Sequence, residues 1–271
     1  MKFIDQLDRA LFLEKTPERI ICLVPSLSEL FVDLGLESKL VGVTKFCVHP
    51  KYLLQEKTVV GGTKSVHFDR ISALKPDIII CNKEENTKEL VEKCEKIASV
   101  HISDLKNLED VYGLILLYGN LFEVMPKATL MVENIKQKAA NFRDSVKSTN
   151  SQKVAYVIWK KPYMVAGKDT FINFLLEMNG LENMFINNEG RYPEVALQEL
   201  AKADLILLSS EPFPFSKKHI DEILEHTKAQ ILLVDGEYFS WYGSRLLSTF
   251  TYFEELQKQL SRILPYSGNP S

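Results

Sequence analysis

Short, unbroken apolar runs recur along this chain, among them RIICLV at 19–24, DIIIC at 77–81 and DLILL at 204–208. A strand with no polar alternation must be covered on both faces, which is the mark of a parallel sheet with helices on each side. The segments between the runs carry helical spacing instead, so strands alternate with helices and an α/β fold follows. Two phrases echo one another: ALKPDIIIC in the first half and ELAKADLILL in the second. Each reads as a short helix, a Lys-x-Asp turn and an apolar strand. Such units recur by chance as well as by duplication, yet the pair supports two similar α/β lobes.

The first lobe opens with a strand over Arg19–Val24, followed by SLSEL. This is an S-x-x-E capping pattern, with Ser26 as cap and Glu29 as its third-position partner. Strands are expected at Leu40–Val43, near Val59 and Val60, at Asp77–Cys81 and at Val100–Ile102. A helix is expected over roughly 85–98. From 108 to 147 turn signals almost vanish, and Leu130, Ile135, Ala139, Phe142 and Val146 keep helical spacing. A helix of ~20 residues would span ~30 Å. The stretch KSTNSQK then breaks the pattern. The second lobe restarts with a strand at Val154–Trp159 and adds strands at Asp204–Leu208 and Ile231–Val234. A short helix is expected to open at Pro193–Val195, and a long one over 244–263 closes the chain. The division that results is a first α/β lobe over 1–122, a linking helix over 123–148 and a second α/β lobe over 149–271.

Composition narrows the function. Lys plus Arg number 33 against 36 Asp plus Glu, a net charge of −3, so there is no basic excess for nucleic acid. No apolar run reaches the ~18 residues of a membrane span. The first residues, MKFIDQLDRALFLEKTPERI, hold Asp5, Asp8 and Glu14 and no apolar h-region, which predicts a cytoplasmic chain. The four cysteines form no CxxC pair and are read as reduced thiols, with Cys22 and Cys81 inside apolar runs.

Catalytic motifs such as G-x-S-x-G, Walker A, H-E-x-x-H and G-x-G-x-x-G are missing. Ser26 and Ser28 are explained by a helix start. His49 and His67 fall in loops after first-lobe strands, and Cys47 and His49 lie two apart in FCVHP, on one face if extended. Aromatic residues are more telling. Tyr52 follows the second strand, Trp159 and Tyr163 flank WKKPY, and Phe239, Trp241, Tyr242 and Arg245 crowd into GEYFSWYGSR after a strand. Each ring alone is as well explained by core packing. As a set, at the strand ends where α/β folds bind ligands, they suggest a cleft for a flat or bulky ligand.

Four segments resemble a known family: RIICLVPSLSELFVDLGLESKLVGVT, VGGTKSVHFDRISALKPDIIICNKEEN, WKKPYMVAGKDTFINFLLEMNG and DGEYFSWYGSR. They are similar to the class III substrate-binding proteins of ABC importers, receptors with a helical backbone that take chelated metals, and most of all to the cobalamin-binding branch. The resemblance implies two Rossmann-like α/β lobes joined by one long backbone helix, with the ligand in the cleft between lobes. It implies a monomer with no required cofactor, a metal chelate (cobalamin, haem or a ferric siderophore) as ligand, and an ABC permease as partner. It puts the loop 46–52 and the turn 62–67 on the first wall and 159–163 and 239–245 on the second. Candidate contacts are therefore Tyr52, Thr63, Trp159, Tyr163, Phe239, Trp241, Tyr242 and Arg245. Thr63 stands where the cobalamin receptor has an aromatic residue, and Arg245, Lys45 and Lys64 suit an anionic ligand. Permease docking through one acidic residue per lobe falls on Asp69 and on Gln198 with Glu199 beside it. The family is usually periplasmic or anchored outside the cell, whereas this sequence reads as cytoplasmic.

The leading expectation is thus a non-enzymatic receptor for a corrinoid. One alternative is direct binding of zinc or iron by Cys47, His49 and His67 with a carboxylate such as Glu237. Another is a corrinoid-modifying enzyme using Glu237.

Overall fold

The computed structural model describes residues 2–146 and 152–263. Chain contacts divide it into two compact units, 1–135 with 242–245 and 136–241 with 246–271. The boundary at 135/136 falls inside the segment 123–148 expected to link the lobes. The segment Tyr242–Arg245 packs with the first unit although its neighbours in sequence belong to the second.

In chain order the first unit contains β1 (Lys2–Ile4), β2 (Ala10–Phe12), β3 (Ile20–Cys22), α1 (Pro25–Asp33), β4 (Leu40–Val43), α2 (Leu53–Glu56), β5 (Thr58–Val59), α3 (Phe68–Ala73), β6 (Ile78–Asn82), α4 (Lys88–Cys94), β7 (Ser99–Ser103) and α5 (Leu108–Leu121). Its main sheet has the parallel order β5-β4-β3-β6-β7. The chain winds outward from β3 to β5 on one side and from β6 to β7 on the other. The order reverses between β3 and β6, the point where such sheets open a crevice beyond their carboxyl ends. β3 and β6 are fully buried, as their unbroken apolar runs require.

α6 (Met125–Ser145) carries the chain across the contact boundary at 135/136. The break expected at KSTNSQK falls largely on 147–151, outside the described residues. The second unit contains β8 (Gln152–Trp159), β9 (Tyr163–Val165), α7 (Phe171–Met178), β10 (Leu181–Asn183), β11 (Glu194–Val195), α8 (Leu197–Leu200), β12 (Leu205–Ser209), α9 (Lys217–Leu224), β13 (Gln230–Val234), α10 (Glu237–Ser240) and α11 (Leu246–Ile263). Its sheet runs β11-β9-β8-β12-β13, with β10 pairing β8 as well. β8, β10, β12 and β13 are parallel, and β9 and β11 form an antiparallel edge.

The sequence echo is a structural one. Ahead of β6, Asp77 donates its N–H to the Arg19 carbonyl (2.8 Å) and accepts the Arg19 N–H on its carboxylate (2.9 Å). Ahead of β12, Asp204 makes the same two bonds to Lys153, each 2.9 Å. In each unit a short helix, an aspartate and a strand are clamped to the start of the neighbouring strand by one carboxylate.

Several local expectations are corrected. Ser26 does not cap α1. The N-cap is Val24 with no side-chain bond, because Pro25 opens the helix and has no N–H to satisfy. The helix expected over 85–98 is only Lys88–Cys94, capped by the Thr87 hydroxyl accepting from Leu90 N. Where a helix was expected to open at Pro193–Val195, Glu194–Val195 forms β11, and α8 begins only at Leu197. The antiparallel pair β1–β2 has no counterpart among the sequence expectations. All four cysteines are free and buried.

One buried group gives the first unit a pH dependence. His101 on β7 is 1 % exposed, and its Nδ1 lies 3.2 Å from the Tyr118 hydroxyl. Burial lowers its pKa from 6.5 to about 4; Arg9 adds to the fall and Asp5 opposes it. The native imidazole is therefore neutral where the unfolded one takes a proton. Its contribution to stability is complete above pH 6.5, is lost as the pH falls toward 4, and changes no further below that. The full loss is about 3 kcal/mol. Urea unfolding at pH 7 and pH 4.5 should show wild type losing about 2–3 kcal/mol more than H101Q. Equal losses in the two proteins would remove His101 as the cause.

Candidate functional site

Loops at the carboxyl ends of the strands position the candidate residues, and each unit is taken by itself. In the first unit the crevice between β3 and β6 is filled from within. Asn86 ties three loops together: its Nδ2 donates to Thr63 O (2.8 Å) and Leu23 O (3.4 Å), and its Oδ1 accepts from Asn82 N (2.9 Å). Tyr242, 6 % exposed, sets its hydroxyl among Ser103 and Ser26, and burial raises its pKa well above the usual value. Gly243 follows with φ 92°, and a Cβ there would lie 3.3 Å from Leu30. That combination of left-handed backbone and close approach to α1 calls for glycine. Arg245 then closes on α1 in a two-pronged pair with Glu29, Nη2–Oε1 2.8 Å and Nε–Oε2 3.1 Å. Tyr242 and Arg245 are thus structural parts of the first unit. Glu29 serves this pair in place of the expected capping box.

Thr63 is buried at the crevice, and its carbonyl accepts from Asn86 Nδ2. Glu85 is half-buried, and burial pushes its carboxyl up while Lys64 and Thr63 pull it down. Tyr52 is elsewhere. It is 42 % exposed, and its hydroxyl donates to Glu37 (2.9 Å), which precedes β4 at the amino end of that strand.

The metal alternative finds no assembled site. Cys47 is buried, its thiol donates to Ser28 Oγ (3.2 Å), and burial pushes its pKa up, against the thiolate a metal needs. FCVHP is not extended: Cys47 N bonds Thr44 O and Val48 N bonds Phe46 O, so Cys47 and His49 do not share a strand face. His67 is exposed at the start of α3. Among the described residues no three His, Cys, Asp or Glu groups gather as metal ligands, Glu237 included.

In the second unit the candidate residues separate into two sets. Trp159 ends β8, is 40 % exposed, and meets Phe213 edge-to-face with centroids 5.6 Å apart. Phe213 in turn packs on Phe215 and on His219. Tyr163 opens β9, half-buried against the core. Trp159 and Phe213 form an aromatic face at the carboxyl end of β8, backed by the buried Phe215 and His219. Phe239 is different: it is fully buried between Tyr156 (5.0 Å) and Phe253 (4.9 Å), so it is a core residue where a ligand contact was expected. Trp241 is 7 % exposed, and its indole N–H donates to Glu211 Oε1 (3.0 Å), which also accepts from Ser240 Oγ (2.6 Å). Gly236 allows this: a Cβ there would stand 2.3 Å from Ser209 Oγ and 2.6 Å from Glu211 Cγ.

Sequence reasoning missed Glu85, Glu211 and Phe213. The last two had a signal in EPFPF, where prolines alternate with rings directly after the DLILL strand.

Asp69 is exposed as the second residue of α3, and Glu199 is exposed as the third residue of α8, next to Gln198 at the position corresponding to Asp69. Glu199 also accepts the Ala196 N–H (2.8 Å) and so caps its own helix.

Comparison with known proteins fits this architecture. The chain is 27% identical over 188 residues to an ABC transporter substrate-binding lipoprotein of Bacillus subtilis, covering 66% of this chain and 59% of that protein. It is 23% identical to a vitamin B12-binding protein of Vibrio parahaemolyticus, covering 68% of this chain and 66% of the relative. A vitamin B12-binding protein of Pectobacterium carotovorum aligns over 93% of this chain and 92% of its own length at 21% identity. Among solved structures, the periplasmic vitamin B12-binding protein of Vibrio cholerae superposes with a TM-score of 0.74 at 21% identity, over 91% of this chain and 99% of that one. A periplasmic heme-binding protein of Pseudomonas aeruginosa gives 0.76 at 23%, over 94% and 95%. At these identities the structures establish the fold.

A family model described as periplasmic binding protein matches residues 20–231. These are binding proteins, which leaves the enzyme alternative without support. The cytoplasmic placement is corrected by the same findings, since the family is periplasmic and the Bacillus relative is a lipoprotein, both facing outward from the cytoplasm. With well over half of its length matched, the chain belongs to the periplasmic binding protein family.

Proposed function

We propose that the chain is the substrate-binding component of an ABC-type importer and that it captures a metal chelate, a corrinoid such as cobalamin. The aromatic face at the end of β8, where Trp159 stands exposed against Phe213, carries this reading. A macrocycle that presents an apolar face packs on such rings. The names of the vitamin B12-binding relatives support the same ligand class. Arg245, the strongest candidate for an anionic ligand, is already held by Glu29, which favours a ligand without carboxylates. Docking to a permease through Asp69 and Glu199 agrees with the exposure of both side chains in the first turns of their helices.

The test is equilibrium binding of cyanocobalamin to the purified chain, read from the visible spectrum after desalting. Retained colour at one ligand per chain is expected. A colourless protein would sink the corrinoid reading, and haemin and then zinc would be tried in its place.

A further inference from the structure

The aromatic face at the end of β8 is held from behind by a titratable ring. Phe213 is tied to β8 through its N–H to the Ile158 carbonyl (3.3 Å), one residue before Trp159, and meets the Trp159 ring edge-to-face. Behind it His219, 5 % exposed, lies edge-to-face with both Phe213 and Phe215, centroids 5.3 and 5.4 Å away. Ser216 fixes the imidazole: its N–H donates to Nδ1 at 2.9 Å, and its hydroxyl lies 3.2 Å from the same nitrogen. A backbone N–H can only donate, so Nδ1 carries the lone pair and the neutral ring has its proton on Nε2. The charged groups facing the ring are Lys160 on the turn after β8 and Lys218 and Glu222 on α9, and Lys160 itself pairs with Glu222. The loop before α9 brings Phe213, Phe215 and Ser216 to the ring, none of them charged. Burial lowers the His219 pKa from its ordinary 6.5, Lys160 and Lys218 add to the fall, and Glu222 opposes it.

We propose that His219 is a positioning residue of the ligand face: its neutral ring holds Phe213 behind Trp159, and a proton on that ring loosens the face and weakens chelate binding. Protonation puts an N–H on Nδ1 opposite the Ser216 N–H, and two donors cannot bond. Of the two Ser216 groups at Nδ1, only the hydroxyl can accept the new N–H, so the ring must shift from the backbone N–H toward it. That shift takes place against Phe213 and Phe215, which leave little room for it. Lys160 and Lys218 add like charge to the imidazolium. A proton that favours the loosened face opposes a ligand that needs the ordered one. Affinity is therefore complete above about pH 6.5 and falls as the pH drops below it.

This role rests on the receptor reading above, and a ligand-free signal separates the two. The chain has two tryptophans, Trp159 and Trp241, so its isotope-labelled form gives two indole N–H resonances, which W159F assigns. These resonances are followed against pH, and cyanocobalamin is titrated over the same range, in wild type, H219N and H219F. Asparagine keeps a neutral acceptor for the Ser216 N–H, phenylalanine keeps a ring against Phe213 and Phe215, and melting shows which variants are folded. Between pH 7.5 and pH 5 the wild-type Trp159 resonance should move and cyanocobalamin affinity should fall about threefold or more, while both stay level in the folded variants. A wild-type resonance or affinity that stays level, or the same change in the variants, overturns the role of His219 and leaves the receptor reading standing. A wild type that retains no cyanocobalamin at any pH overturns the receptor reading, and the role of His219 in binding falls with it.

Discussion

Replacing Glu29 by alanine is expected to cost about 3–5 kcal/mol of folding stability. The Glu29 and Arg245 side chains are 16 % and 10 % exposed, and the guanidinium meets the carboxylate with two nitrogens, at 2.8 and 3.1 Å. Removing one partner breaks a two-pronged pair that lies largely out of water, and the loss of those charge-assisted bonds is the source of the penalty. R245A should cost a similar amount. The loss would spread along the chain, because Arg245 ends the segment that also carries Gly243 against α1 and the Tyr242 hydroxyl among Ser26 and Ser103. A double replacement by methionine should cost less than either alanine alone, since neither charge of the pair then remains without the other. Urea unfolding of the two single variants and the double one measures all three terms. Single-variant losses below about 1 kcal/mol would mean that the pair behaves like an exposed one and does not hold the segment.

What was legible in the sequence follows from burial. β3, β6 and β12 are apolar at nearly every position because both faces are covered, so RIICLV, DIIIC and DLILL announced them without help from periodicity. The paired aspartates were legible too, because a Lys-x-Asp turn before an apolar run recurs at Asp77 and Asp204. β1 and β2 were not, since each has only three residues, too few for an alternation to stand out. The site was less legible than the fold. Glu85 looks like one more surface charge in NKEEN, and only the tertiary placement of Thr63 and Asn86 makes it a crevice residue. Tyr52 was chosen for following a strand, but at the start of α2 its side chain turns toward Glu37. Sequence proximity to a strand end says nothing about which way the following turn will point a side chain.

The aromatic candidates of the second unit give the clearest separation of stability from binding. F239A is expected to lose about 3–5 kcal/mol, the usual cost of emptying a large core site. Its ring is fully buried and packs on Tyr156 and Phe253, and Phe253 in turn packs on Phe142 and Phe250. The cavity would open inside an aromatic cluster that rigid sheet and helix neighbours prevent from collapsing. W159A should lose no more than about 1 kcal/mol, because a ring 40 % exposed that touches Phe213 by its edge removes little surface from water. Its effect belongs instead to cyanocobalamin affinity, which should fall about tenfold or more if the ring stacks on the ligand. F239A, by contrast, should bind near-normally under conditions where it remains folded. Melting and titration of the two variants side by side read both quantities. A W159A protein that binds as tightly as wild type would move the ligand off this face, and an F239A protein of unchanged stability would contradict the packing of Phe239 in the core.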